Sequence, residues 1–129
     1  MNQFIATIKT IDQVKNLHLV TFKLGSQTIK MVSLELDESL KINSTIKLNV
    51  KSTHISIAKN LQGELSHANQ LKAKITAVNN GKLLSSIQLK VEKFELESLI
   101  TLEASLAMTL SIGDDVLVLI KGNEVSVCG

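Results

Sequence analysis

The sequence predicts an all-β protein of two tandem five-stranded barrels, and an internal repeat and a periodicity support this prediction. The segment Asn2-Gln3-Phe4 recurs 67 residues later as Asn69-Gln70-Leu71, and Ile55-Ser56-Ile57 recurs as Val125-Ser126-Val127. The spacing between equivalent segments grows only at expected turns, because loops tolerate insertions and strands do not. Apolar and polar residues alternate in most segments, which is typical of half-buried strands. Each copy is therefore expected to be one small β unit.

Five strands and one short helix are expected in each copy. The strands are expected at residues 4–9, 17–24, 28–35, 46–51 and 55–58, and again at 71–77, 84–91, 94–102, 116–121 and 125–128. Short helices are expected at 36–41 and 103–110, where the second copy is longer and rich in helix-forming residues. Asn80-Gly81 predicts a tight hairpin turn, because both residue types accept positive φ. We place an increase of the repeat offset from 67 to 68 after the first hairpin, which aligns Ser33 with Thr101.

The order of three strands, a helix and two strands is that of a small Greek-key barrel of the oligonucleotide/oligosaccharide-binding (OB) type. Residues 1–60 are expected to form the first barrel, 61–67 a linker and 68–129 the second barrel. A unit of about 60 residues is close to the lower size limit for an independent core. We therefore expect strands to be exchanged between the barrels.

Composition argues against several classes of protein. The formal net charge is only +2, and no basic block predicts binding to nucleic acid or anionic lipid. Aromatic residues make up 2%, too few for a barrel that stacks bases on aromatic side chains. The sequence has no run of 18 apolar residues and no secretory n-region or h-region, so a soluble cytoplasmic protein is expected. The single Cys128 cannot form an internal disulfide.

Three segments carry a resemblance to a known family. Ser66, Asn69 and Leu71 match an opening S-x-R-N-x-L pattern, and the segment 50–55, Val-Lys-Ser-Thr-His-Ile, matches an I-K-S-[ST]-x-V element. Ile100-Thr101, followed by Gly113-Asp114, matches the helix-to-strand element. With both copies included, the chain resembles the molybdenum–pterin-binding family, the Mop domains of molbindins and related TOBE domains, in a two-copy form.

The resemblance implies a pair of barrels that bind molybdate or tungstate at interfaces between copies or subunits. It also implies a homo-oligomer, with a trimer as the favoured state. An oxyanion offers only acceptors, so its site needs hydroxyl, cationic and backbone N–H donors. A tight turn presents such N–H groups on a concave face. The oxyanion-binding residues that the resemblance implies are Lys51, Ser52, Thr53, Ser66, Asn69, Thr101 and Lys121.

The chain departs from the family pattern at several positions. The family Arg is Ala68, the Ser of the second K-S turn is Gly122, and the first copy begins at Met1-Asn2 without the Ser and Arg positions. Arg is a forked, permanently charged donor that Lys does not replicate. An alternative reading is therefore an oligomerisation or protein-interaction module that kept the fold and lost oxyanion binding.

No catalytic or metal-binding arrangement is apparent in the sequence. His18, His54 and His67 lie in different predicted elements, with no Cys or carboxylate at ligand spacing. No nucleophile–base pair or paired carboxylates can be assembled. We therefore expect a binding protein for a small oxyanion, not an enzyme, with no metal site, no organic cofactor and no nucleic-acid or membrane partner. Storage, buffering and sensing of the anion all remain consistent with the sequence.

Overall fold

The computed structural model describes residues 2–128, which form ten strands, one α-helix and two short 3₁₀ turns. The first copy contains β1 (Asn2–Val14), β2 (Leu17–Leu24), β3 (Gln27–Ser33), β4 (Thr45–Val50) and β5 (Ser56–Ala58). The second contains β6 (Asn69–Asn80), β7 (Leu84–Val91), β8 (Phe94–Thr101), α1 (Leu102–Ala107), β9 (Asp115–Ile120) and β10 (Ser126–Val127). A 3₁₀ turn follows β4 at Ser52–His54, here the Ser52 turn, and another follows β9 at Gly122–Glu124, here the Gly122 turn.

The strands form two five-stranded antiparallel sheets with equivalent topology. Their orders are β10-β4-β1-β2-β3 and β5-β9-β6-β7-β8. Four neighbours in each sheet, β4-β1-β2-β3 and β9-β6-β7-β8, have the spatial order 4-1-2-3 of a Greek key. The predicted all-β class with two five-stranded OB-like units is confirmed.

The fifth strand of each copy lies in the sheet of the other copy. Ser56 of β5 pairs with Leu119 of β9, and Ser126 of β10 pairs with Asn49 of β4. The expected strand exchange is therefore present and reciprocal. The expected domain boundaries at residues 60 and 68 therefore do not separate the two sheets, because β5 of the first copy belongs to the second sheet and β10 of the second copy belongs to the first.

The apolar residues form one core that spans both sheets. Phe22 and Leu48 of the first sheet and Leu89 and Val118 of the second are completely buried members of a single cluster. The ring centroid of Phe4 lies 6.1 Å from that of Phe94, which belongs to the other sheet. Neither copy therefore has a separate core. Each unit is too small to bury its apolar face alone, and this is the physical reason for the strand exchange.

The strand register corrects our alignment of the repeats. Thr21 pairs with Lys30, and Gln88 pairs with Glu97, so the offset stays at 67 through the third strand. Ser33 is therefore equivalent to Ile100, and its predicted alignment with Thr101 was wrong. The added residues all fall after the third strand, in the connection to β4 or β9, where the chain is a loop that tolerates insertion.

The predicted helix at 36–41 was wrong. Asp37 Oδ1 accepts a hydrogen bond from Ser39 N at 2.9 Å, and Leu40 N bonds to Asp37 O at 3.0 Å, so this segment forms turns. An Asp side chain that bonds its own chain two residues on competes with helix formation. The second copy does form a helix, but α1 covers Leu102–Ala107 rather than 103–110. Within residues 2–128, no helix has the length and apolar character needed to cross a membrane.

The turn predicted at Asn80-Gly81 also differs from expectation, because neither residue has positive φ. Asn80 instead ends β6 with its side-chain oxygen accepting bonds from Ser85 Oγ at 2.6 Å and Ser105 Oγ at 3.0 Å. These bonds tie the hairpin to α1, and the chain reverses through a bond from Gly81 N to Leu84 O.

Candidate functional site

Five of the seven predicted donor residues lie at two places that the repeat relates to each other, namely Lys51, Ser52, Thr53, Asn69 and Lys121. Asn2 pairs with Val50, immediately before Lys51, whereas Asn69 pairs with Ile120, immediately before Lys121. We call the first place the Ser52 end; it contains the Ser52 turn and the part of β8 that it packs against. The second is the Gly122 end; it contains the Gly122 turn and the adjoining part of β3.

The two turns approach each other at one point. His54 Nδ1 lies 3.7 Å from Glu124 Oε2, and these residues occupy equivalent positions in the repeat. Glu124 Oε1 also accepts a bond from the backbone N–H of Lys121 at 3.3 Å. The carboxylate on the Gly122 turn is therefore directed at its own backbone and at His54.

At the Ser52 end, hydroxyl donors converge on a carboxylate. Ser86 Oγ donates to Glu97 Oε2 at 2.6 Å, and Ser52 Oγ donates to Glu97 Oε1 at 2.9 Å. Gln88 Nε2 makes a longer bond of 3.4 Å to the same Oε2. The hydrogen bonds from Ser86 and then Ser52 hold the pKa of Glu97 below its ordinary value, because they stabilise the charged form. Lys51 and Thr53 are exposed beside this cluster.

The Gly122 end has different chemistry at the same positions. The register places Lys30 where the Ser52 end has Glu97, and Leu19 where it has Ser86. Lys30 and Lys121 are both exposed, and neither forms a salt bridge within residues 2–128. The Gly122 end therefore carries two lysines and one carboxylate, Glu124, which is bonded to the Lys121 N–H and lies near His54, whereas the Ser52 end carries Lys51 and Glu97.

Gly122 is required by packing rather than by backbone conformation. A Cβ at this position would lie 2.9 Å from Val32 Cγ2 and 3.7 Å from Ala68 Cβ. The turn therefore packs closely against β3 and against Ala68, the position of the family Arg. A hydroxymethyl group like that of Ser52 does not fit here unless Val32 moves.

Asn69 has a structural function that its sequence pattern did not reveal. Its Nδ2 donates to Lys30 O at 2.8 Å and its Oδ1 accepts from Lys30 N at 2.6 Å, and the side chain is 1% exposed. Asn2 holds the backbone of Glu97 in the same way. The recurrent Asn is thus the residue that joins β6 to β3 and β1 to β8.

The remaining predicted residues are placed as follows. Thr101 is the N-cap of α1, where Oγ1 accepts from Ala104 N at 3.1 Å. It is four residues beyond Glu97 on β8, or roughly 13 Å at the usual strand rise. The structure therefore does not bring Thr101 to the Ser52 end. Ser66 is exposed, three residues before Asn69. Among residues 2–128, no three His, Cys, Asp or Glu side chains are grouped to hold a metal ion.

Several residues of these two ends were missed from the sequence, namely Asn2, Lys30, Ser86, Gln88 and Glu97. A signal for two of them existed. Keeping the offset at 67 through the third strand pairs Lys30 with Glu97, an opposite-charge difference between otherwise similar copies. The hydroxyl convergence was not detectable, because Ser52 and Ser86 meet only through contacts between the two sheets.

Comparison with known proteins agrees with this architecture. Residues 65–127 match the family model described as the TOBE domain. A solved structure of the cytoplasmic molybdate-binding protein ModG, with molybdate bound, aligns with a TM-score of 0.88 over 98% of this chain and 94% of that chain. The two are 21% identical in sequence, so the likeness shows a shared fold. No curated protein sequence matches the chain. The TOBE match thus covers the second copy of the repeat, and the first copy has an equivalent strand order.

Proposed function

We propose that this protein binds molybdate or tungstate in the cytoplasm and stores, buffers or senses the anion, without catalysing a reaction. The shared fold with a molybdate-binding protein and the TOBE match support this proposal. The observation that carries it is the Gly122 end, where Lys30 and Lys121 lie on neighbouring elements without an ion-pair partner among residues 2–128. A dianion leaving water must meet several donors at once, because burial of an uncompensated charge is prohibitive.

The proposed contacts divide between the two ends. At the Gly122 end, Lys121, Ser66 and Lys30 supply donors directly, and Asn69 contributes by fixing the backbone of Lys30. At the Ser52 end, the proposed donors are Lys51, Ser52 and Thr53, and of these the Ser52 hydroxyl already donates to Glu97. Thr101 is a proposed contact through a further copy of the chain, since it lies roughly 13 Å along β8 from Glu97.

We also propose that binding is completed at interfaces in a homo-oligomer, with a trimer as the favoured state. Apolar side chains are exposed at the tips of both long hairpins: Val14 is 72% and Leu83 is 82% exposed. Leu17 and Leu84, which are equivalent in the repeat, are 46% and 50% exposed. Clustered exposed apolar residues are typical of protein interfaces. Light scattering coupled to size exclusion is expected to show an assembly larger than one chain, and a monomer at high micromolar concentration would contradict this.

Titration calorimetry with molybdate, tungstate, sulfate and phosphate tests the function. We expect heat and thermal stabilisation with molybdate and tungstate, and weaker binding of the smaller sulfate. Lys121→Ala is expected to weaken binding by about 10- to 150-fold, equivalent to the 1.5–3 kcal/mol of a charge-assisted hydrogen bond. Lys74→Ala is the matched control, because this exposed lysine pairs with Asp115 on the outside of the second sheet. Absence of binding by all four anions would overturn the proposal.

A second function, an interaction module that has lost its ligand, is favoured by one observation. Glu97 already accepts the hydroxyls of Ser52 and Ser86, and Ala68 stands where the family has Arg. A stable oligomer that binds none of the four oxyanions would support this function over the first.

A further inference from the structure

We propose that Glu97 is an internal competitor for the oxyanion, which keeps the Ser52 end closed while the Gly122 end stays accessible. This inference rests on the proposed function and adds a determinant of stoichiometry to it. Its consequence is that the two ends of the chain, equivalent in the repeat, differ in their affinity for a dianion.

The contacts at the Ser52 end already resemble those of a bound anion. The two oxygens of the Glu97 carboxylate accept bonds from Ser52 Oγ at 2.9 Å and Ser86 Oγ at 2.6 Å. A carboxylate is itself an oxyanion, and it uses the same kind of donor that molybdate requires. Because a hydroxyl has only one hydrogen to donate, neither serine can serve Glu97 and a ligand at the same time.

The carboxylate cannot leave the site together with its backbone. Asn2 accepts from Glu97 N at 2.7 Å and donates to Glu97 O at 2.9 Å, while Glu97 also pairs with Gln88 in the β7–β8 ladder. Only rotation of the side chain can release the donors. A dianion that enters while the carboxylate remains ionised also meets a like charge within a few ångströms, which is unfavourable.

The repeat provides an internal comparison. Lys30 occupies the position of Glu97 in the other copy, and Asn69 holds its backbone as Asn2 holds that of Glu97. The change from an ammonium to a carboxylate reverses the sign of the charge at an equivalent, backbone-fixed point. The Gly122 end has no carboxylate at this position, and its Glu124 is directed at the Lys121 N–H and at His54. It is therefore the end that accepts a ligand.

Calorimetric stoichiometry in Glu97 variants tests the inference. Glu97→Gln removes the charge and Glu97→Lys introduces the residue of the equivalent position, and each is expected to about double the molybdate bound per chain. Glu95→Gln is the matched control, because it removes the same charge from an exposed position two residues away on the same strand. Ser52→Ala in the Glu97→Gln background is expected to return the stoichiometry to the wild-type value.

The result for the wild-type protein bears on the proposed function, and the difference between wild type and the Glu97 variants bears on this inference. If both Glu97 variants bind the same number of molybdate ions per chain as the wild type, or if neither they nor the wild type bind any, the inference is overturned. An equal gain in Glu95→Gln would also overturn it, because net charge alone would then be the cause. As a readout on the unmodified protein, saturating molybdate should shift the amide resonances around Lys121 and leave the Glu97 side-chain carboxyl resonance unchanged. A large shift of the Glu97 carboxyl would show that the anion displaces it and would contradict the inference.

Discussion

The side chain of Asn69, on β6 of one sheet, hydrogen-bonds both backbone polar groups of Lys30, on β3 of the other. The distances are 2.6 Å from Lys30 N to Oδ1 and 2.8 Å from Nδ2 to Lys30 O. Asn2 and Glu97 form the equivalent pair of bonds, at 2.7 and 2.9 Å. The same asparagine–backbone pairing thus joins the two sheets at two places. The residues whose backbones are bonded, Lys30 and Glu97, have opposite charges, and this difference distinguishes the two ends.

Replacing Asn69 by Ala is expected to lower the free energy of unfolding by about 2–4 kcal/mol, because it leaves the N–H and C=O of Lys30 without partners near a buried position. Urea unfolding measures this loss. Lys30→Ala is the control: its exposed side chain is removed, while the backbone bonds to Asn69 are kept. We expect a change within about 0.5 kcal/mol for the control. Equal losses in both variants would contradict a stabilising role for the two hydrogen bonds between Asn69 and the backbone of Lys30.

Gly122→Ala is expected to destabilise the protein by about 1–3 kcal/mol, the usual cost of adding a methyl group to a filled space. The new Cβ would lie 2.9 Å from Val32 Cγ2. Combining it with Val32→Ala should recover much of the loss, because the contacting methyl group is then absent. A double-mutant cycle in urea unfolding measures this coupling. Additive effects of the two substitutions would show that Val32 is not the obstacle.

Lys59→Met is expected to destabilise the exchanged strand β5. Lys59 Nζ donates to Met108 O at 3.2 Å and Thr109 O at 2.9 Å at the end of α1, and it lies 3.0 Å from Asp114 Oδ2. Faster amide hydrogen exchange at Ile57 and Ala58 is the expected readout, because these residues pair with β9 next to Lys59. Lys74→Met is the matched control, since its ion pair with Asp115 is longer, 3.5 Å, and more exposed. The same acceleration of amide exchange in both variants would contradict a role for the Lys59 contacts in holding β5.

The hydrogen bonds of Glu97 predict a defined pH dependence. Bonds from Ser86 and then Ser52 lower the pKa of Glu97 in the folded state, so its charged form stabilises the fold. This contribution is fully present above the pKa of an unfolded glutamate, about 4.3, and is lost as the pH falls through the lowered folded pKa. Ser86→Ala should raise the pKa of Glu97 more than Ser52→Ala does, as measured by NMR titration of the side-chain carboxyl.

Glu97→Gln should correspondingly flatten the dependence of stability on pH below about 4.3. Part of the dependence should persist, because hydrogen bonds also lower the pKa of Asp37, Glu92 and Asp114 in the folded state. Urea unfolding at a series of acidic pH values compares the two proteins. Identical pH profiles for wild type and Glu97→Gln would contradict the predicted contribution of Glu97.

Much of the fold could be predicted from local pattern. The alternation in β2 and β7 and the recurrence of Asn2 as Asn69 were sufficient to predict the strands, their order and the duplication, because period two and repetition are properties of the chain itself. The same reasoning failed at residues 36–41. There the bonds from Ser39 N and Leu40 N to Asp37 form a turn, and average helix propensity does not capture such local bonds.

Which residues meet at the Ser52 end and at the Gly122 end was decided by the tertiary structure. By itself the sequence determined which residues are donors, that Lys51 recurs as Lys121, and that Ser52 is replaced by Gly122. It could not determine that Glu97 receives the hydroxyl of Ser52, 45 residues away, because that contact exists only where the Ser52 turn packs against a strand of the other copy. Strand exchange creates these contacts, because it carries each turn across to the opposite sheet. There the Ser52 turn meets the carboxylate of Glu97, and the Gly122 turn meets the strand that carries Lys30.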